Sequence, residues 1–328
     1  MLFSYNRSEY GYSNSKRYSG NSVRPVCPSE DWLSHISISL DNNTMSLIQG
    51  GIGHLKVITK YDGNDYSFAN AGFVWSSDNK TVAVVDENGN ITAMSNGTAC
   101  ITVSLGLESI QCKITVIDES VIEHEYVDLG LSVKWATFNV GASKPEEYGG
   151  FYSWGETEHK TDYSWSKYKW CNGSESSLTK YCSNSFYSNE GFADTLKVLA
   201  PEDDVAHVKW GGSWRMPTLA EQEELRNNCT WTPYDSGNTE FNGVAGYKVT
   251  SKIEGYTDRS IFLPAAGYRD GTAFSFVGSD GLYWSSSLDT ENPCKAWHIY
   301  FSSSPGYKYV NKNNFDRRNG YSIRPVCP

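Results

Sequence analysis

Apolar and polar residues alternate in short runs through the first third of the chain. Ile36-Ser37-Ile38-Ser39-Leu40 puts its apolar side chains on one side of an extended backbone. Leu55-Lys56-Val57-Ile58, Val82-Ala83-Val84-Val85, Ile101-Thr102-Val103 and Ile114-Thr115-Val116 do the same. Asp62-Gly63-Asn64 and Asn88-Gly89-Asn90 supply turns between them. Short strands with closely spaced turns predict an all-β sandwich over residues 34–117.

The pattern changes after an acidic linker, residues 118–125, in which His124 reads as a solvated side chain. Tyr126–Ala136 reads as two strands around a tight turn at Gly130, and a Gly/aromatic loop follows at Tyr148–Glu156. One helix is signalled strongly. Thr218 is placed to cap it, Glu221 completes a capping box, and Leu219 and Leu225 give it an apolar side. A second, weaker helix is predicted through Ala193–Leu199, and short strands return beyond Asn228. Residues 126–328 therefore read as an α+β domain. The two ends of the chain also match. Residues 10–28 (YGYSNSKRYSGNSVRPVCP) foreshadow residues 307–328 (YKYVNKNNFDRRNGYSIRPVCP), so segment 1–28 reads as the end of a preceding copy of the C-terminal domain. Too short to bury a core, that tail is expected to be disordered or to dock on a strand edge.

Two resemblances give these modules names. Val74-Trp75-Ser76-Ser77-Asp78, Val82–Val85, Asn88–Ala93 and Gly97–Val103 resemble the bacterial Ig-like group 2 domain in order and spacing. Such domains act as spacers in surface adhesins, and the likeness implies a core role for Trp75. Residues 126–328 resemble the family called the Fibrobacter succinogenes major paralogous domain. The carriers are Val127–Ala136, Gly149–Glu156, Gly211–Thr218 (GGSWRMPT), Ile261–Tyr268 (IFLPAAGY), Tyr283–Ser287 (YWSSS) and Arg324-Pro325-Val326. This likeness implies a C-type-lectin-like fold with its two termini close together, and no defined ligand. The expected fold class is thus multidomain, an all-β Ig-like sandwich followed by an α+β C-type-lectin-like domain.

Charge and cysteine usage narrow the chemistry. A net charge of −10 argues against nucleic acid and anionic membrane as partners. No apolar run is long enough to span a bilayer. The first residues lack the basic stretch and apolar run of a signal peptide, which leaves either a longer parent chain or export by another route, such as a virion. Eight cysteines occur without a CxxC or a Cys/His cluster, so no zinc and no other cofactor is expected. Cys100 and Cys112 fall on opposite faces of successive strands by parity. Cys171 and Cys182 are the better candidate disulfide pair.

Catalytic constellations are weak. The Glu-Pro-Asn and Trp-Asn-Asp elements of calcium-dependent lectins are missing, and Asp235–Glu240 is a polar turn that only loosely suits a hard cation. A formylglycine-generating-type enzyme needs an activated cysteine pair. Cys294 and Cys327 lack a supporting base, and His298 at four residues from Cys294 makes no dyad on an extended strand. Glu223 and Glu224 diverge on a helix, while Glu156 and Glu158 are expected to face water. The chain is therefore read as non-catalytic.

Recognition is expected instead. The chain holds 22 Tyr and 11 Trp, side chains with an apolar body and a polar handle. Residues 295–315 mix aromatics with Ser and Asn. The candidate ligand-binding residues are Trp297, His298, Tyr300, Ser302, Ser303, Tyr307, Tyr309, Asn311, Asn313, Asn314 and Phe315. Arg317 and Arg318 are further candidates, whereas Arg324, repeated as Arg24, reads as scaffold. Between the two tails Ser13 faces Asn313, Ser15 faces Phe315, Ser19 faces Asn319 and Asn21 faces Tyr321. Such exchange on a fixed scaffold suits a protein diversified by a retroelement. The function expected is an extracellular, cell-surface or virion adhesin or receptor-binding protein, with a protein or glycan on another surface as its ligand. A structural module of a surface assembly is the alternative.

Overall fold

The structure, a computed structural model, describes residues 3–6, 9–12, 35–65, 72–106, 108–118, 124–304 and 308–328. In the tail, β1 (Phe3–Asn6) and β2 (Glu9–Tyr12) form an antiparallel hairpin in the register Phe3 to Tyr12. Cys27, Ser13, Ser15, Ser19, Asn21 and Arg24 lie outside the described residues.

The Ig-like module contains β3 (Ile36–Leu40), β4 (Thr44–Ile48), β5 (Ile52–His54), β6 (Val57–Tyr61), β7 (Asn64–Asp65), β8 (Val74–Ser77), β9 (Ala83–Val85), β10 (Asn90–Ala93), β11 (Gly97–Leu105) and β12 (Glu108–Ile117). They join as sheets ordered β4-β12-β11-β8, β5-β10-β9 and β3-β6-β7. Alternation sets what is buried. β11 turns Ala99, Ile101 and Val103 inward and β12 turns Cys112, Ile114 and Val116 inward, all into one core. Ile101 pairs with Cys112 and Cys100 with Lys113, so the two thiols face opposite ways, as parity predicts. Trp75 packs half-buried against this core.

The C-terminal module opens with β13 (Tyr126–Val127) and β14 (Lys134–Ala136), joined through Gly130 at φ 73°. Further along come α1 (Val205–Trp210), α2 (Leu219–Asn228), β15 (Cys229–Tyr234), β16 (Gly246–Ser251), β17 (Ser260–Pro264), β18 (Tyr268–Asp270), β19 (Ala273–Ser275), β20 (Asp280–Leu288), β21 (Lys295–Ser302), β22 (Tyr309–Asp316) and β23 (Val326–Cys327). β14 pairs with both β13 and β23, so the first and last strands of the module flank one shared strand. The β20-β21-β22 sheet lies between two cores. One face of β21 sends Ile299 and Phe301 towards Leu225 of α2 and Tyr247, Val249, Ile261 and Leu263 of β16 and β17. Its other face sends Ala296 towards Tyr152, Trp154, Trp284 and Tyr321.

The capping box forms as predicted. The Thr218 side chain accepts from the Glu221 N–H, and the Glu221 carboxylate accepts from the Thr218 N–H. The helix expected at Ala193–Leu199 does not form. That segment is extended, with Leu199 N–H donating to Ser286 O and Leu288 N–H donating to Lys197 O. Asp194 accepts from the Tyr181 and Cys182 N–H groups, so tertiary pairing overrides a modest helical pattern. The helix in this region is α1, capped by the buried Asp204.

Three further expectations are corrected. Glu156 is buried, not solvated. It accepts from the Lys169 N–H and pairs with Lys160 at 2.7 Å. The His124 ring stacks on Trp210 with centroids 3.8 Å apart, and burial lowers its pKa. Cys171 and Cys182 are free thiols in one small cluster with Leu178 and Cys294. Cys171 Sγ donates to Trp165 O and Cys182 Sγ to Asn184 O.

Candidate functional site

Among the described residues β22 is the outermost strand of its sheet and pairs only with β21. Its neighbours are buried on both faces, but β22 is not, and the two-residue alternation decides which of its side chains meet solvent. Tyr309, Asn311, Asn313 and Phe315 lie on one face and are all exposed, Tyr309 and Phe315 at 43% each. Across from them on β21 stand Ser302, Tyr300, His298 and Ala296. Tyr300, half-buried, meets Tyr309 edge to face at 5.3 Å. Its hydroxyl donates to the buried Asp280 carboxylate at 2.9 Å, which fixes the ring. Val310, Asn314 and Asp316 turn to the opposite side, where Val310 packs into the core beneath α2.

The candidate residues are therefore divided. Tyr300, Tyr309, Asn311, Asn313 and Phe315 share the exposed face. Trp297 and Asn314, directly paired, share the other one. Trp297 lies under Lys312, which is itself held by Glu223, and Asn314 donates to Asp289. His298, Ser302 and Ser303 point inward. His298 is wedged edge-on against Trp284 and Tyr321, and burial drives its pKa down to about 3. The Ser303 hydroxyl donates to Ser279 O, and the Ser302 carbonyl accepts from the Tyr247 hydroxyl. Tyr307 lies outside the described residues.

The arginines are scaffold. Arg317 is fully buried and donates to the carbonyls of Tyr181, Pro293 and Lys180. Arg318 donates to Tyr163 O and pairs with Asp270. Both were candidate ligand contacts, and both are consumed by the fold. Arg324 is scaffold as expected, donating to Asn139 Oδ1 and to the carbonyls of Ala136, Thr137 and Phe262. Of the four exchanged positions singled out between the two tails, Asn319 and Tyr321 are buried and Asn313 and Phe315 are exposed.

Sequence patterning missed one exposed aromatic. Phe276 is 59% exposed and sits at φ 58°, a conformation that costs a bulky residue energy. It stacks on Tyr268 at 6.0 Å, and its carbonyl accepts from the N–H of Asp280, the residue that anchors Tyr300. No local motif marks it, because the strain arises from the tertiary turn between β19 and β20. The exposed aromatic face thus extends from Phe315 through Tyr309 and Tyr300 towards Phe276.

Neither Cys294 nor Cys327 has the lowered pKa of an activated thiol. Burial, then Asp316 and Glu175, push Cys294 up to about 11, and its Sγ donates to Asn292 Oδ1. Burial also raises Cys327. Glu223 binds Lys312 while Glu224 binds Ser132, so the adjacent pair diverges. In the Asp235–Glu240 turn, Asp235 accepts from Gly237 N–H, and Glu240 is held by Tyr234 and Lys248.

Comparisons with known proteins bear on one module. No curated protein matches the chain. Domains 4 and 5 of the S-layer protein SbsC match with 20% identity over 25% of this chain and 51% of that one, at a TM-score of 0.23. An intimin mutant from EHEC O157:H7 matches with 19% identity over 28% of this chain and 50% of that one, at a TM-score of 0.18. The chain spans about half the length of each, and scores this low carry no argument about function. The model of the bacterial Ig-like domain (group 2) matches residues 36–116, within the predicted module. The strand order and single core of that segment accord with it, and residues 36–116 are a bacterial Ig-like domain of group 2.

Proposed function

We propose that the chain is a non-catalytic surface adhesin or receptor-binding protein whose ligand, a protein or glycan on another surface, is read by the exposed face of β22. The observation that carries this reading is the set Tyr309, Asn311, Asn313 and Phe315, all exposed on one face beside the anchored Tyr300. Rigid aromatics give contact area at small entropic cost, and carboxamides supply adaptable hydrogen bonds. The Ig-like module serves as spacer, and residues 126–328 as a C-type-lectin-like reader. The raised thiols of Cys294 and Cys327 support a non-catalytic role, since activation requires the opposite shift. On this reading retroelement diversification acts at exposed positions such as Asn313 and Phe315, not at the buried Tyr321.

Glycan and protein arrays probed with the whole chain test this. The variant Tyr300→Ala/Tyr309→Ala/Asn311→Ala/Asn313→Ala loses at least about tenfold in affinity for any array ligand, since two hot-spot aromatics exceed that sum. Trp297→Ala, on the other face, keeps it. Undiminished binding by the fourfold variant with an intact melting curve places the site elsewhere. A second reading, a structural module of a surface assembly, is favoured by the edge of β22 that no other described strand covers. It predicts stable self-association in sedimentation and no array ligand.

A further inference from the structure

The two modules touch through their backbones. Ile52 N–H of the Ig-like module donates to Gly149 O at 3.0 Å. A Cβ on Gly51 would lie 2.3 Å from Gly141 O, and one on Gly150 would lie 2.7 Å from the Tyr152 hydroxyl and 2.9 Å from Gly50 O. Main chain cannot step aside as a flexible side chain does, so glycine is required on both sides of this contact. Ile52 also completes an apolar cluster with Phe151, Tyr163 and Ala266 of the C-terminal module.

His159 stands behind the contact, its Cβ 3.7 Å from where a Gly50 Cβ would be. Both ring nitrogens are shut from solvent and have no hydrogen-bond partner among the described residues. The charges facing the ring are those of Arg269 and Lys209. Asp86 of the Ig-like module acts on Arg269, and Glu156 and Lys160 pair with each other on the loop that carries His159. Among the described residues no carboxylate hydrogen-bonds the imidazole.

We propose that this contact is a proton-released clasp: with His159 neutral the two modules form one rigid body, and a proton on the ring opens them. A proton there would be unsolvated, without an acceptor, and beside two cations. Burial first, then Arg269 and Lys209, accordingly hold the closed-state pKa at about 4. An opened, hydrated histidine titrates near ~6.5. The open form therefore takes up a proton that the closed form refuses. Closure is unaffected above pH ~6.5 and weakens, by up to about tenfold in the closed-to-open ratio per pH unit, as pH falls towards the closed-state value.

Small-angle scattering of the whole chain between about pH 7.5 and pH 5 reads the clasp, with near-UV circular dichroism reporting that both cores stay folded. The wild type should hold a constant radius of gyration down to about pH 6.5 and expand below it. His159→Leu, which removes two unpaired polar atoms, should stay closed throughout. Gly51→Val should be expanded at neutral pH, and Ile52→Ser serves if that variant fails to fold. A wild-type radius that ignores pH overturns the proposal. So does expansion that persists in His159→Leu, and so do Gly51→Val and Ile52→Ser variants as compact as the wild type.

Discussion

Arg317 and Arg324 each keep a guanidinium in the interior with carbonyl oxygens as its hydrogen-bond acceptors. A planar five-donor fork can satisfy several separate chain segments at once, and an ammonium on a flexible stem cannot. Arg324→Lys should strand at least one buried carbonyl and the Asn139 amide oxygen, at about 3 kcal/mol in sum. Calorimetry should show the melting point falling by roughly 6–12 °C, a conversion that depends on module size. His298 makes a different demand. Its native pKa, lowered by burial to about 3, lies below that of an unfolded histidine. The unfolded chain binds the extra proton, so His298 costs nothing above pH ~6.5 and progressively more as pH drops towards its native value. At pH 5 the penalty is about 2 kcal/mol. Urea midpoints at pH 7 and pH 5 should converge in His298→Phe relative to wild type, provided the Phe ring fits between Trp284 and Tyr321.

At the level of elements, what was legible depended on whether the signal was local. The capping box at Thr218 and Glu221 is written in four consecutive residues, and the helix follows from it. The parity of Cys100 and Cys112 was equally readable, because period two belongs to the strand itself. Ala193–Leu199 was misread because its extended form is imposed by Ser286 and Leu288, about ninety residues away. Composition singled out the segment proposed for recognition, but not its division into two faces. That division needs the register of β22 on β21, which only the folded hairpin defines. Register also yields a prediction. Lys312 N–H points away from β21 and donates to Asn311 Oδ1, so the N–H of Asn313 points towards β21. Lys312→Pro should cost below about 1 kcal/mol, as proline is tolerated on edges, and Asn313→Pro about 3 kcal/mol. Denaturant titration of both variants checks the asymmetry, and equal losses would contradict the register.

For the whole molecule, β22 has a consequence for how such a protein changes over generations. Tyr309, Asn311, Asn313 and Phe315 make almost no contribution to either core, whereas one strand inward every side chain packs or pairs. On the proposed reading, selection for a new partner acts on positions that stability scarcely constrains. Exposed substitutions of this kind usually move stability by less than about 0.5 kcal/mol. A library randomised at these four positions should yield mostly soluble, cooperatively melting proteins, while the same library at Ala296, His298, Ile299 and Phe301 should yield mostly aggregates. On the proposed reading the strand is a replaceable face on a fixed body, where new specificity is explored without refolding the molecule.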